Sequence, residues 1–236
     1  MNKAPALILV LAVLLVAGGC ASLPLIMPDT HSPQAAQVQS KDLDLLFPPG
    51  SFQFVHSLEM TLPGNHSAML MGVLNVDSLS GTVHCVVMTL EGLVLFDAES
   101  RGDDLAIDRG IPPFDNREMA LGLIRDIRLV FFRPKGSPVA SGYLADRQRI
   151  LRFQGIDSGT VDLIYPQDRS AWILNVHDRR SRLTRSVRYL FPETPASGTA
   201  PRFPSTITLT AMGPAGYTLT MTLLEAHLIH DPNQSR

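Results

Sequence analysis

The chain has 236 residues, of which 45% are hydrophobic, 18% are charged and only 6% are aromatic, and its formal net charge is −2. This composition excludes a disordered chain, a collagen and a disulfide-rich mini-protein. Because 20 basic residues nearly balance 22 acidic ones, the chain has no overall positive field, and we expect no nucleic-acid partner.

The N-terminus has the three parts of a secretory signal. Lys3 supplies a positive charge, residues 6–16 form an unbroken apolar run, and the small residues 17–19 lead to Cys20. The run is too short to cross a bilayer as a permanent helix, which needs about 20 residues, and is typical of an export signal. It resembles the bacterial lipoprotein signal, in which small residues precede an invariant Cys. The alternative is an ordinary secretory peptide in which Cys20 is incidental.

The lipoprotein resemblance implies that Cys20 becomes the first mature residue and carries a diacylglyceryl thioether and an N-terminal acyl chain such as palmitate. The absence of an Asp directly after Cys20 then implies sorting to the outer membrane, facing the periplasm. We therefore expect a signal peptide over residues 1–19, a lipidated N-terminus and flexible tether over 20–42, and a single domain over 43–236. The only other cysteine, Cys85, lies in an apolar run, which favours a buried and inert thiol.

Strand signals dominate the folded part of the chain. Apolar and β-branched segments are separated by Gly, Asn, Asp and Pro, which is typical of an antiparallel meander. In the last two segments threonines alternate with apolar residues, so one face is expected to meet a core or cavity and the other to meet water. The predicted strands are 52–62, 68–76, 83–90, 93–98, 150–153, 160–165, 171–176, 183–190, 206–211 and 217–229.

One amphipathic helix is predicted between the two groups of strands, and a short one is possible at 43–47. Asp115 followed by Glu118 indicates a capping box, and Ile124 belongs to an apolar stripe at helical spacing that ends near Arg133. The basic segment 179–188 has enough positive charge to contact anionic lipid headgroups or an acidic patch of a partner, and a solvent-facing or edge-protecting strand explains it at least as well. The predicted class is α+β, mainly antiparallel β, with the helix covering a curved sheet.

Motifs for known reactions are missing from the sequence. It contains no Gly-x-Ser-x-Gly elbow, dinucleotide-binding glycine motif, phosphate loop or His-Glu-x-x-His. The closest histidine pair, His227 and His230, points to opposite faces of a strand and is a poor chelate. We expect no catalytic residues, no metal and no cofactor, and a periplasmic hydrolase has only scattered Asp and His residues in its favour.

The lipobox, the Pro-containing tether, the segment 88–96, the helix ending at 129–134 and the strand 217–221 are together similar to LolB-like outer-membrane lipoproteins. Within this group the chain most resembles an uncharacterised lipoprotein family that accompanies aryl-polyene-type lipid pathways. The LolA/LolB resemblance implies an unclosed antiparallel barrel of about eleven strands, with helices plugging the opening and a hydrophobic cavity for acyl chains.

If the resemblance holds, eleven apolar residues are candidates for lining the lipid cavity, although each would look the same in a dry core. The leading hypothesis is a non-catalytic lipoprotein that binds or transfers a lipid or acylated cargo, with a periplasmic carrier or an envelope protein as its partner. The alternative is an accessory lipoprotein that docks on an envelope transport or assembly machine. The cavity candidates are Met69, Met71, Val73, Val86, Met88, Leu93, Leu95, Ile124, Leu219, Met221 and Leu223.

Overall fold

A computed structural model describes residues 23–28, 42–64, 66–112, 114–192, 202–214 and 216–230. Thirteen strands in these ranges form one antiparallel sheet in the order β1-β7-β8-β9-β10-β11-β12-β13-β2-β3-β4-β5-β6. The strands are β1 (Met27–Pro28), β2 (Ser51–Leu62), β3 (His66–Asp77), β4 (Thr82–Met88), β5 (Val94–Arg101), β6 (Asp104–Gly110), β7 (Ala140–Tyr143), β8 (Arg149–Gln154), β9 (Thr160–Tyr165), β10 (Ala171–His177), β11 (Leu183–Leu190), β12 (Thr206–Ala211) and β13 (Tyr217–His230).

The sheet does not close on itself within the described residues, because β1 and β6 stand at its two ends. One α-helix, α1 (Arg117–Phe131), packs against the inward face through buried apolar residues such as Ile124 and Val130. A curved antiparallel sheet with a covering helix, here called the half-barrel, confirms the predicted fold class. Its thirteen strands exceed the expected number of about eleven.

All ten predicted strands are present, and three further strands escaped prediction. β1 has two residues in a Pro-rich stretch, β7 has four residues including Gly142, and β6 contains two aspartates and an arginine. None of the three has the run of β-branched or aromatic residues that announces a strand. All lie at or next to the ends of the sheet, where fewer buried neighbours are needed.

The N-terminal boundary of α1 differs from its prediction by one residue. The cap is Asn116, whose Oδ1 accepts hydrogen bonds from the backbone N–H groups of Glu118 and Met119 at 2.8 and 3.4 Å. Asp115 stands outside the helix, so the capping box that it was expected to form is wrong. Asn is as good an N-cap as Asp, and the sequence alone did not choose between two adjacent candidates.

The basic strand is internal. β11 pairs with β10 on one side and β12 on the other, so the edge-strand interpretation is wrong. The charge of Arg185 is matched by Asp126 of α1 at 3.0 Å, a partner 59 residues away that no local pattern indicates. Arg188, by contrast, is exposed.

Two pieces of the N-terminal region contact the half-barrel. Residues 23–28, here called the strap, contribute β1 to the edge of β7, and the carbonyl of Pro24 accepts a hydrogen bond from Arg152 at 3.1 Å. The approach is close at Gly142, where a Cβ atom would lie 2.0 Å from the carbonyl oxygen of Met27. Residues 42–46 form the short helix expected there. Part of the region assigned to the tether is thus attached to the sheet.

Candidate ligand-binding interior

The inward face of the half-barrel carries two apolar clusters. The first lies on β8 to β13 beneath residues 42–47, and the second lies on β2 to β5 beneath α1. α1 belongs to both, because Val130 packs in the first and Ile124 in the second. Tyr165 and Trp172 stack at the base of the first cluster with their ring centroids 3.9 Å apart.

Polar contacts hold α1 against the β11 to β13 side of the sheet. Asp126 is buried on the helix and binds Nε of Arg185 at 3.0 Å, and it accepts a second hydrogen bond from the hydroxyl of Tyr217. Burial raises the pKa of Tyr217, and the neighbouring Asp126 carboxylate raises it further. The phenol therefore stays protonated and remains a hydrogen-bond donor. We call these three residues the first latch.

A second latch fixes the other side of α1. Arg128 donates to the carbonyl of Gly81 at 2.9 Å and to the hydroxyl of Ser100 at 3.2 Å, both on the β3 to β5 part of the sheet. Near the helix end the carbonyl of Val130 accepts a hydrogen bond from the buried hydroxyl of Tyr189 at 3.0 Å. The covering helix is therefore held by polar groups at its margins and by apolar packing at its centre.

The short helix at 42–46 is anchored in a similar way. Asp42 is almost fully buried, accepts a hydrogen bond from the hydroxyl of Tyr165 at 2.8 Å and pairs with Arg169. Leu43 and Phe47 enter the first cluster. This segment and α1 together cover the inward face.

Between the two clusters lies a cavity of about 30 Å³. This volume is enough for about one water molecule. Its wall combines aromatic and aliphatic side chains from β2, α1, β13 and the segment before β12, including Phe54, Phe131, Phe203 and Leu223. This cavity is therefore too small for an acyl chain unless α1 or the short helix moves away.

Beside the hydroxyl of Tyr189, His56 supplies a titratable side chain to the wall of this cavity. It is 4% exposed, and its ring lies 6.0 Å from that of Phe54 and 5.8 Å from that of Phe131. Burial lowers its pKa to about 4, so the imidazole is neutral near pH 7. It contributes a polar but uncharged group to a wall that is mostly apolar and also contains Ser78 and Tyr189.

Five of the eleven cavity candidates lie on the wrong face of the sheet. In β3 and β4 the inward residues include Leu70, Leu74, Val83, Cys85 and Val87, which are buried. Side chains alternate between faces, so their neighbours point outward. The outward candidates are Met69, Met71, Val73, Val86 and Met88, and their assignment to the cavity is corrected accordingly.

The other six candidates differ in how deeply they are buried. Ile124, Leu219 and Met221 are buried in the two clusters, and Leu223 lines the cavity. Leu95 is partly buried against the second cluster, but Leu93 lies in the β4 to β5 turn and is 54% exposed. A lipid-binding role for any of them stays a prediction.

Several interior residues were missed by the sequence analysis. Phe52, Phe54 and His56 occupy every second position of β2, and that spacing was the available signal. Phe203 lies before β12, outside any predicted element, and contacts Phe52 and Phe54 at 5.3 and 5.0 Å between ring centroids. No local pattern announces such a loop residue.

Both cysteines were assigned a role from sequence. Cys85 is buried on the inward face, and burial together with the nearby Asp97 raises its pKa to about 12, which confirms an inert thiol. Cys20 lies outside the described residues, so its lipidation remains a prediction.

Two kinds of feature are absent from the described ranges. No helix there is long and apolar enough to cross a membrane. Nowhere in the same ranges do three or more His, Cys, Asp or Glu side chains come together as possible metal ligands.

Comparison with known proteins supports the fold. No protein-family model and no curated protein matches the sequence. The structure is similar to that of a LolA superfamily protein from Nitrosomonas europaea, with a TM-score of 0.58 and 15% identity over 84% of this chain and 96% of that one. It also matches a putative outer membrane lipoprotein-sorting protein domain from Vibrio parahaemolyticus, with a TM-score of 0.40 and 12% identity over 86% and 97% of the two chains. The half-barrel is thus a LolA-like fold.

Proposed function

We propose that the protein is an outer-membrane lipoprotein that faces the periplasm and binds or hands over a lipid or acylated cargo without covalent chemistry. The observation that carries this proposal is the apolar interior beneath α1, closed by a helix whose margins are held by polar latches. The LolA-like fold supports it, as does the lipoprotein-type signal that ends at Cys20. The narrower resemblance to lipoproteins of aryl-polyene-type pathways remains part of the proposal.

Binding requires the cover to open, because the cavity holds only about 30 Å³. Lifting α1 breaks the first and second latches and exposes the apolar side of the helix. An entering acyl chain gains about 0.8 kcal/mol for each methylene that it buries. About ten methylenes therefore supply roughly 8 kcal/mol, enough to offset several polar contacts worth about 1–3 kcal/mol each.

The first latch offers a direct experiment. We expect Asp126→Asn to weaken the contacts with Arg185 and Tyr217 and to raise the fraction of molecules with α1 open. Because apparent affinity scales with that fraction, a fluorescent fatty-acid probe should bind about tenfold more tightly. Arg125→Gln is the matched control, since Arg125 is an exposed residue of the same helix and its change should leave probe binding as in the wild type.

The proposal is contradicted if the wild type and Asp126→Asn both fail to bind the probe and solvent extraction of the purified protein returns no acyl species. Circular dichroism of each variant establishes that it is folded. Equal probe affinity in Asp126→Asn and Arg125→Gln would show that α1 does not control entry.

The proposed anchor has its own test. Pro24 contacts Arg152, so three residues lie between Cys20 and the point of attachment to the sheet, and the four steps along the chain span at most about 14 Å at 3.3–3.6 Å per residue. Cys20→Ser should abolish incorporation of labelled palmitate and release the protein from membranes or leave an uncleaved precursor. Unchanged labelling would contradict the lipoprotein assignment.

A second candidate function is an accessory lipoprotein that docks on an envelope machine. It is favoured by the partly exposed apolar residues on the outward face of β3 and β4, among them Met71, Val73 and Val86. Crosslinking in intact envelopes that returned one stoichiometric protein partner, with no bound lipid, would favour this alternative.

A further inference from the structure

A surface groove lies at the C-terminal end of β10, separate from the cavity between the two clusters. Its volume is about 690 Å³, and it runs between the turn at 156–158 and the turn that joins β10 to β11. His177, Arg179 and Arg180 line it, and Ile156 stands at its rim with 86% of its surface exposed. No residue of the latches or of the cavity takes part.

The groove carries excess positive charge. It is lined by three arginines and two carboxylates, and Arg182 is already paired with Asp178 at 2.7 Å. Asp157 is the second carboxylate. Arg179 and Arg180 are exposed and form no ion pair with any residue in the described part of the chain. Two guanidinium groups are thus available for an anion.

Hydrogen bonds hold the turn that carries these arginines. Asp178 accepts hydrogen bonds from the backbone N–H groups of Arg180 and Arg182 at 2.8 and 3.0 Å, and Ser181 closes the turn with a hydrogen bond to the Asp178 carbonyl. These bonds to the backbone and side chain of Arg182 lower the pKa of Asp178. The backbone of the turn is therefore ordered by these bonds before a ligand binds, which reduces the entropy lost by the backbone on binding.

His177 forms a buried part of the groove wall. It is 7% exposed, and its Nδ1 atom is buried without a hydrogen-bond partner among the described residues. A buried polar atom left without a partner is costly. A small movement of the ring toward a bound oxygen atom would supply that partner.

His177 of the groove wall lies on the outward face of the sheet, as do the residues that bind the strap. The strap binds Arg152, which pairs with Asp162 at 2.7 Å. Asp162 lies opposite Asn175 of β10, two residues before His177. A chain that is attached to a membrane just before the strap therefore holds this face near the bilayer.

We infer that this groove binds the phosphate of an anionic phospholipid headgroup, with Arg179 and Arg180 as its principal ligands and Ile156 in contact with the adjoining apolar layer. Arginine recognises phosphate through paired, charge-assisted hydrogen bonds, and an exposed apolar residue beside basic ones is typical of a membrane-surface contact. The choice of a lipid as the source of the phosphate rests on the proposed function, whereas the phosphate chemistry does not.

The test uses the full chain in bicelles of phosphatidylcholine, with the NMR signals of the Arg179 and Arg180 amides and the His177 ring as the readout. Phosphatidylglycerol added to the bicelles should shift these signals, and inorganic phosphate in solution should shift them at most weakly. The double variant Arg179→Gln/Arg180→Gln should need about tenfold more phosphatidylglycerol for the same shift of the His177 ring. Arg188→Gln, which removes an exposed charge from the outward face of β11, should respond as the wild type.

Each other outcome is decisive. Equal shifts with inorganic phosphate and phosphatidylglycerol would overturn the lipid as the source and leave a free-phosphate site. No shift with either, or an unchanged response in the double variant, would overturn the site. Binding of the fatty-acid probe, measured on the same samples, separates this outcome from failure of the proposed function, because neither arginine contacts the interior.

Discussion

The two parts of the sheet differ in what they present to solvent. On β12 and β13 the outward positions are threonines, which face one another in cross-strand pairs such as Thr208 with Thr220, while Leu209 and Leu219 are buried inside. On β3 and β4 the outward positions include Met71, Val73 and Val86 beside polar residues such as Asn75 and His84, so apolar residues occur on both faces of these strands. Polarity therefore distinguishes the inward face from the outward face clearly on β12 and β13, and less clearly on β3 and β4.

This difference matters for stability, because only the buried apolar residues of the sheet stabilise the fold. Apolar residues stabilise the fold only to the extent that they leave water. Val76 is 4% exposed and packs in the second cluster, whereas Val73 of the same strand is partly exposed. Two chemically identical residues three positions apart should therefore tolerate change very differently.

The largest expected effect comes from placing the same charged residue at each of these two valines. Val76→Asp should lower the free energy of unfolding by more than about 4 kcal/mol, because it buries an unpaired charge. Val73→Asp should lower it by about 1 kcal/mol at most. Urea unfolding followed by circular dichroism measures both.

The milder pair Val76→Thr and Val73→Thr keeps this comparison measurable if Val76→Asp does not fold. Val76→Thr should cost about 1–3 kcal/mol because its hydroxyl is buried. Equal losses for the two threonine variants would contradict the assignment of faces.

A second, smaller effect concerns His56, which lies between the two clusters. Its pKa is about 4 when folded and 6.5 in a model peptide, so the unfolded chain binds the proton more readily. Stability is therefore full above about pH 6.5 and falls as the pH drops toward 4, by about 3 kcal/mol in total. His177, whose pKa burial also lowers, acts in the same direction.

Unfolding curves between pH 7 and pH 4, compared for the wild type and His56→Leu, check this expectation. The variant should lose most of the pH dependence in that window. The same slope in both proteins would contradict the buried, neutral state of His56.

The smallest effect concerns the cover of the β2 to β5 part. Asn116→Ala removes the side chain that caps α1 and should cost about 1 kcal/mol. Asp115→Ala is the matched control, because Asp115 precedes the cap and is exposed. Thermal unfolding of the two variants measures the difference, and a larger loss for Asp115→Ala would show that the helix begins one residue earlier.

The contrast between the two parts of the sheet also explains what sequence can predict. The alternation of threonine with Leu219 and Met221 gave the inward face of β13 correctly. Met71 and Leu74 differ too little in hydrophobicity to show which one points inward. That choice depends on where α1 lies.

Contacts between residues far apart in the sequence limit what local patterns can predict. The pairing of Asp126 with Arg185 joins residues 59 positions apart, and Phe203 enters the interior from a loop. The fold class, ten strands and α1 follow from local pattern and resemblance. The latches and the closed state of the cavity depend on tertiary contacts that no local pattern contains.

The most direct test of the account maps where an acyl chain lies in the protein. A photoreactive fatty acid is added to the purified full chain and crosslinked, and the modified peptides are identified by mass spectrometry. We predict crosslinks to inward residues beneath α1, such as Phe54, Leu74 and Leu223, and more of them in Asp126→Asn. Crosslinks confined to the outward residues Met71, Val73 and Val86, or none at all, would contradict a lipid-binding interior.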